Sequence, residues 1–223
     1  MSTIVLISGG LDSAVLLADQ ARRGRAHPLY VRVGLAWEAG ELRMLERLLA
    51  CPPFAGVAPL DTVDFNMRDV YPATHWAVLG TPPAYDTPDE EVYLPGRNLV
   101  LLTKAGVVAA ARGASRVVLG PLAANPFPDA TPGFFTAMGR ALSLGLNHPI
   151  EVDTPFASMH KDAVIRLGMA LRVPLELTLS CMRPDDQVEP RHCGRCSKCR
   201  ERRDAFVAAG VEDPTPYAEL SPR

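Results

Sequence analysis

Lysine is nearly missing from this chain: Lys104, Lys161 and Lys198 are the only ones in 223 residues, against twenty arginines. Composition bias is the plain explanation, since alanine, proline and leucine abound in the same sequence. An ammonium and a guanidinium are not interchangeable, however, so each lysine also marks a place where a compact point charge would be needed. Missing too is any apolar run near the ~18 residues of a membrane-spanning helix. The N-terminus enters an apolar strand at once, without a basic and then apolar leader. These absences point to a cytoplasmic chain with no membrane partner. Charge of neither sign dominates, and a formal net charge of −2 provides no global attraction for nucleic acid. With 48% hydrophobic residues, disorder is not expected, and 223 residues suffice for one full core with a small appendage.

What is present begins with Thr3-Ile4-Val5-Leu6-Ile7, followed directly by Ser8-Gly9-Gly10-Leu11-Asp12-Ser13 and then Ala14-Val15-Leu16-Leu17-Ala18. The order is buried strand, tight turn, helix. Two glycines let the backbone take positive φ and approach a ligand closely, unpaired N–H groups at the helix start face an anion, and Ser8 and Ser13 add hydroxyl donors. Gly-Gly pairs also make ordinary turns, but the flanking strand and helix favour a phosphate site. No Gly-Lys-Ser/Thr follows, so the loop is not a Walker A sequence.

Further strands are expected at 28–33, 57–65 and 116–119 beside the one at 3–7. Helices are expected at 13–23, 38–49, 98–112, 135–144 and 161–171, with a last one starting near Cys196. That alternation predicts an α/β fold with a doubly wound parallel sheet, whose ligands bind beyond the carboxyl ends of the strands. We place a main domain at 1–175 and a smaller C-terminal segment at 176–223. Residues 66–95 hold Pro72, Pro82, Pro83, Pro88 and Pro95 and read either as a long surface loop or as a lid over the ligand.

Cys193, Cys196 and Cys199 recur at three-residue intervals, and Cys181 lies twelve positions before the first of them. Four sulfurs suit one tetrahedral Zn2+, and four thiolates would leave it no open position, so its role would be structural. An iron–sulfur cluster and a redox dithiol are the other readings of such a run. The fifth cysteine, Cys51, has no partner in this pattern, and His192 reads as a neighbour of the cluster that could replace one sulfur. Arg191, Arg195, Lys198, Arg200, Arg202 and Arg203 crowd around it, either as a solvated face or as a phosphate or RNA contact.

Two resemblances join these pieces. The string from Ser8 to Ser13 resembles the pyrophosphate loop, S-G-G-x-D-S, of the N-type ATP pyrophosphatases. This PP-loop likeness implies an adenine-nucleotide α-hydrolase sheet and cleavage of ATP between its α- and β-phosphates. Leu94-Pro95-Gly96-Arg97-Asn98-Leu99-Val100-Leu101-Leu102 resembles the V-P-G-R-N-x-x-x-L signature of the 7-cyano-7-deazaguanine synthases. Ala141-Leu142-Ser143-Leu144-Gly145, Thr154-Pro155, Lys161 and the four cysteines follow in that family's order, so the likeness spans almost the full chain.

The family resemblance implies conversion of 7-carboxy-7-deazaguanine and ammonia to the nitrile, with ATP and Mg2+, through adenylated intermediates in queuosine biosynthesis. It also implies a homodimer. Ser8, Gly9, Gly10, Leu11, Asp12 and Ser13 would then hold the phosphates, with Asp12 beside magnesium. Arg97 and Lys161 would meet phosphate or adenylate charge, completing a catalytic set with Asp12, and Asn98 would orient. Asn98 could instead cap a helix, and Lys161 could be an exposed first-turn residue.

The chain departs from the family in the substrate loop. Asp129 keeps the expected acid and, with Phe127, is placed against the deazapurine, but Thr131 stands where the family carries arginine. An arginine is the natural bidentate partner of a carboxylate, so this departure bears on the acid substrate rather than on ATP. Alternatives are an enzyme that uses the same activation to pass a deazaguanine to another acceptor, including a protein, or one that modifies tRNA. A nucleotide-binding protein without catalysis is the remaining reading.

Overall fold

The computed structural model describes residues 2–123, 125–185 and 189–219. Five strands, β1 (Ser2–Leu6), β2 (Arg25–Arg32), β3 (Asp61–Asp64), β4 (Arg116–Val118) and β5 (Glu151–Asp153), form one parallel sheet in the order β3-β2-β1-β4-β5. The helices are α1 (Leu11–Arg23), α2 (Glu38–Leu49), α3 (Trp76–Leu79), α4 (Arg97–Ala111), α5 (Pro132–Leu146), α6 (Lys161–Ala170) and α7 (Ser197–Ala209). Helices cover both faces, which is why β1 reads as a continuous apolar run rather than an alternating one. Ile4 and Leu6 join a core with Leu102 and Ala105 of α4. Val5 and Ile7 join the opposite core with Leu16 and Leu17 of α1 and Val164 and Ile165 of α6. The expected doubly wound fold is the observed one. Strand order reverses between β1 and β4, and the Gly-Gly turn leaves β1 at that crevice.

Several boundaries differ from the expected ones for local reasons. β2 starts three residues before Pro28. The carbonyl of Leu29 turns to β1, accepting the Ile7 N–H at 3.0 Å, so Pro28 faces β3. The β2–β3 ladder begins only at Leu29 and Asp61, so the N–H that proline lacks has no ladder partner to lose. β3 is correspondingly short. β5 was not anticipated, because Glu151-Val152-Asp153 carries a single apolar residue. It is held as an edge strand by pairing with Arg116–Val118 and by the Arg116 Nε–H on Asp153 at 3.1 Å.

Residues 66–95 are neither structureless nor loose on the surface. They contain α3 and a 3-10 turn at Asp89–Val92, and Met67, Tyr71, Ala77, Val92 and Leu94 are buried in the main core. At the other end of the chain α7 packs on α6, and Ala205 and Phe206 enter the α1-side core. Arg202 is fully buried and donates to Thr215 Oγ1 (2.6 Å), Thr178 Oγ1 (2.9 Å), Ser180 Oγ (3.2 Å) and the Leu175 carbonyl (2.7 Å). It is therefore a structural tie, not part of a solvated basic face. Among the described residues no helix is long and apolar enough to cross a membrane.

Candidate active site and metal centre

The turn after β1 is internally braced. Ser8 N–H donates to Ser13 Oγ (3.2 Å), Gly10 N–H to Ser8 Oγ (3.3 Å), and Ser13 Oγ to the Gly10 carbonyl (3.0 Å). Gly9 has φ +78°, and a Cβ there would lie 3.2 Å from the Glu41 carbonyl oxygen, so both conformation and space call for glycine. Gly10 caps α1 without any side-chain hydrogen bond. The first N–H groups of the helix have no intrahelical partner, and their dipole end faces the crevice. The Leu11 side chain is buried in the core, so only its backbone would be free for a ligand.

Two confluent cavities open there, of about 220 Å³ and about 490 Å³, sharing Ser8, Gly10, Asp12, Glu41 and Arg97 in their walls. The smaller reaches the end of β2 at Tyr30 and Val31 and includes Ser13 and Asn98. The larger runs past Lys161 to Phe127, Trp76 and Asp89. Residues 66–95 thus form one wall of the larger cavity. Phe127 stacks on Tyr93 with ring centroids 5.0 Å apart.

Charges are concentrated on one side of the larger cavity. Lys161 Nζ lies 3.2 Å from Asp12 and 2.5 Å from Glu201, and the other oxygen of Glu201 lies 2.6 Å from Lys198. Burial opposes the Lys161 charge, but Asp12 and Glu201 outweigh it and hold the ammonium above the usual lysine range. Burial would raise the Glu201 carboxyl, yet the two lysines hold it down at about 2. Asp12 Oδ1 is buried without a hydrogen-bond partner among the described residues, an acceptor available to a cation. Two of the chain's three lysines therefore meet on a single carboxylate, whereas Lys104 lies over the Phe65 ring, 5.6 Å from its centroid.

Arg97 opens α4 after Gly96 (φ +78°), and its Nε is buried without a hydrogen-bond partner among the described residues. Asn98 N–H donates to Asp129 Oδ2 at 3.1 Å, and Asn98 Nδ2 donates to the Asp129 carbonyl at 2.9 Å. Asp129 thus caps the helix that carries Arg97. Burial raises the Asp129 carboxyl, with the Asn98 bonds and Arg97 working the other way. Thr131 is exposed, caps α5 by accepting the Phe134 N–H at 3.2 Å, and is not a cavity wall.

Sequence reasoning passed over Glu41. Its carboxylate sits on the buried face of α2 with Met44, Leu45 and Leu48, accepts the Tyr30 hydroxyl at 2.5 Å, and is raised to about 7 by burial, against the opposing pull of Arg97 and its hydrogen bonds. An acid at the apolar phase of an amphipathic helix was the available signal. Glu38, one turn earlier, accepts the Val33 and Gly34 N–H groups at 2.7 and 2.9 Å and fixes the end of β2.

The Cys181, Cys193, Cys196 and Cys199 sulfurs all lie within 4.8 Å of one another, with neighbours at 3.5, 3.9 and 4.0 Å. A tetrahedral Zn–S bond of about 2.3 Å implies sulfur separations of about 3.8 Å. The set could therefore hold one tetrahedral ion such as zinc, and its compactness suits a single ion better than a multinuclear cluster. Backbone N–H groups of Arg183 and Cys193 donate to the Cys181 sulfur at 3.3 and 3.2 Å, as thiolate ligands require. His192 is fully buried beside the cluster, but its Nε2 accepts the Ser180 N–H at 3.0 Å, a packing role that leaves the four sulfurs as the ligand set. Cys51 lies apart, its thiol on the Arg47 carbonyl.

A braced glycine turn, an uncapped helix start and lysine–carboxylate pairing at the crevice of a doubly wound sheet define a nucleotide-binding α/β protein of the PP-loop type. The family described as "Queuosine biosynthesis protein QueC" matches residues 2–210. The chain belongs to the QueC family. It is 35% identical to the 7-cyano-7-deazaguanine synthase of Anaeromyxobacter dehalogenans over 97% of this chain and 95% of that one. It is 33% identical to that of Methanopyrus kandleri (98% and 99% covered) and 34% identical to that of Thermosynechococcus vestitus (98% and 97% covered).

Proposed function

We propose that this protein makes 7-cyano-7-deazaguanine from 7-carboxy-7-deazaguanine, ammonia and ATP. The carboxylate attacks the α-phosphorus, releasing pyrophosphate and forming an acyl adenylate. Ammonia displaces AMP to give the amide, and a second adenylation of the amide oxygen followed by loss of AMP gives the nitrile. The observation that carries this reading is the confluence of the two cavities at Ser8, Gly10, Asp12 and Arg97, where a nucleotide and an acid would meet. The name of the 7-cyano-7-deazaguanine synthases, shared by relatives along the whole chain, supports the substrate class.

The residues bind and neutralise rather than react. Ser8, Gly9, Gly10, Leu11 and Ser13 surround the phosphates through N–H and hydroxyl donors. Arg97 faces both cavities and stabilises charge at the adenylated carbon and phosphate, Asn98 and Asp129 hold it in place, and Lys161 meets the departing pyrophosphate. Asp12 would hold Mg2+ through its free buried oxygen, and the ion would supply charge neutralisation on the phosphates when bound. Phe127 packs against the deazapurine ring. Cys181, Cys193, Cys196 and Cys199 would hold Zn2+, which would staple the 176–223 segment to the 1–175 domain. We place the enzyme in the cytoplasm as a homodimer.

The test is incubation with magnesium-ATP, ammonium and 7-carboxy-7-deazaguanine, followed by mass spectrometry. Nitrile together with AMP and pyrophosphate is expected. Substrate-dependent AMP without nitrile would reassign the chain to another acceptor, and no turnover at all would reject catalysis.

A further inference from the structure

Lys161 is the first residue of α6, where the helix dipole presents its positive end and disfavours an ammonium. Its side chain is a flexible four-carbon stem that would turn to solvent unless anions held it. Two do so: Asp12 from α1 at 3.2 Å and Glu201 from α7 at 2.5 Å. They differ in what the reaction asks of them. If Asp12 gives its free oxygen to magnesium, as proposed above, its charge is shared between that ion and Lys161, and Glu201 is the anion whose charge stays with the lysines. This step rests on that reading of Asp12 and Lys161.

We propose that Glu201 is a positioning residue that holds the Lys161 ammonium against the phosphate turn while nucleotide is bound. Its geometry suits the task. One carboxylate oxygen meets Lys161 and the other meets Lys198 at 2.6 Å, so the plane of the group is fixed from both sides. Lys198 lies 3.7 Å from Asp89, and Arg200 donates to the Thr87 carbonyl at 3.1 Å. The helix carrying Glu201 is thereby braced on the opposite wall of the same cavity. Cys196 and Cys199 anchor its first turn among the four sulfurs. The cysteine cluster thus reaches the chemistry through one carboxylate, although it takes no part in the reaction.

Glu201→Gln is the variant to make, because its amide must point an N–H at one of the two ammonium groups. The expected result is a kcat about 100-fold lower, the scale of a small misplacement of a reacting charge, with KM for ATP within about threefold of wild type. Metal content and melting temperature should be retained. Glu201→Asp keeps the charge one methylene short and should recover about tenfold of the loss. Glu201→Ala, read beside them, covers the case in which the glutamine variant folds poorly. A wild-type kcat in Glu201→Gln while Lys161→Ala is inactive would overturn this inference alone, as would a kcat loss matched by an equal loss of metal. Wild-type turnover in Lys161→Ala would instead remove the reading beneath it.

Discussion

The two halves of the site are built in opposite ways. On the β1–α1 side the cavity wall is a backbone turn: the start of a helix capped by no side chain, and hydroxyls braced within six consecutive residues. On the α7 side the wall is made of charged side chains drawn from four separate segments, at Asp12, Lys161, Glu201 with Lys198, and Asp89. Backbone donors are preorganised by the fold itself, whereas five charged side chains keep their geometry only while the segments that carry them are pinned. The phosphate half should therefore survive perturbations that scatter the charged half.

Breaking the charged half directly should have the largest effect. Asp12→Asn and Lys161→Ala should each lower ATP turnover about 1,000-fold or more while leaving the fold intact, measured as AMP and pyrophosphate release beside circular dichroism. Cys196→Ala should come next, losing metal by elemental analysis and lowering the melting temperature. Hydrogen exchange should then rise first in residues 189–219, with the β1–α1 turn still protected. Equal loosening of both regions would erase the contrast between them.

A third prediction concerns the buried acid between the halves. The Glu41 carboxyl is raised in the folded protein from 4.5 to about 7, so the stability it contributes is fully present below pH 4.5 and is lost as pH rises through 7. Glu41→Gln removes that titration. Its stability relative to wild type should rise between pH 4.5 and 8 by up to about 3 kcal/mol, read from denaturant midpoints across that range. A flat difference would show that Glu41 titrates normally. The smallest effect is expected at the substrate-loop departure: because Thr131 is exposed outside the cavity wall, Thr131→Arg should leave KM for the acid within about twofold. A tenfold gain in affinity would place residue 131 at the substrate after all.

Legibility followed the same divide. The turn from Ser8 to Ser13 and the Arg97-Asn98 pair were readable because their geometry is local: strand, glycines and helix start occur in one string. The four cysteines were readable because a metal set keeps its spacing. Asp129 also caps α4, a partnership across thirty-one positions that no local pattern records. Arg202 looked like its basic neighbours and proved to be the fully buried one, since only the packing of 175–180 and Thr215 around α7 gives it partners.

By itself the sequence determined the class of sheet, the glycine turn between β1 and α1 and the membership of the cysteine set, since hydrophobic period, glycine placement and ligand spacing act within a few residues of the chain. Tertiary structure alone decided which charges meet. Lys161, Lys198 and Glu201 converge because α6 packs on α7, and Glu41 becomes a weaker acid because its place on the inner face of α2 buries its carboxyl. Coulomb attraction and desolvation depend on distance in space, and distance in sequence carries no record of it.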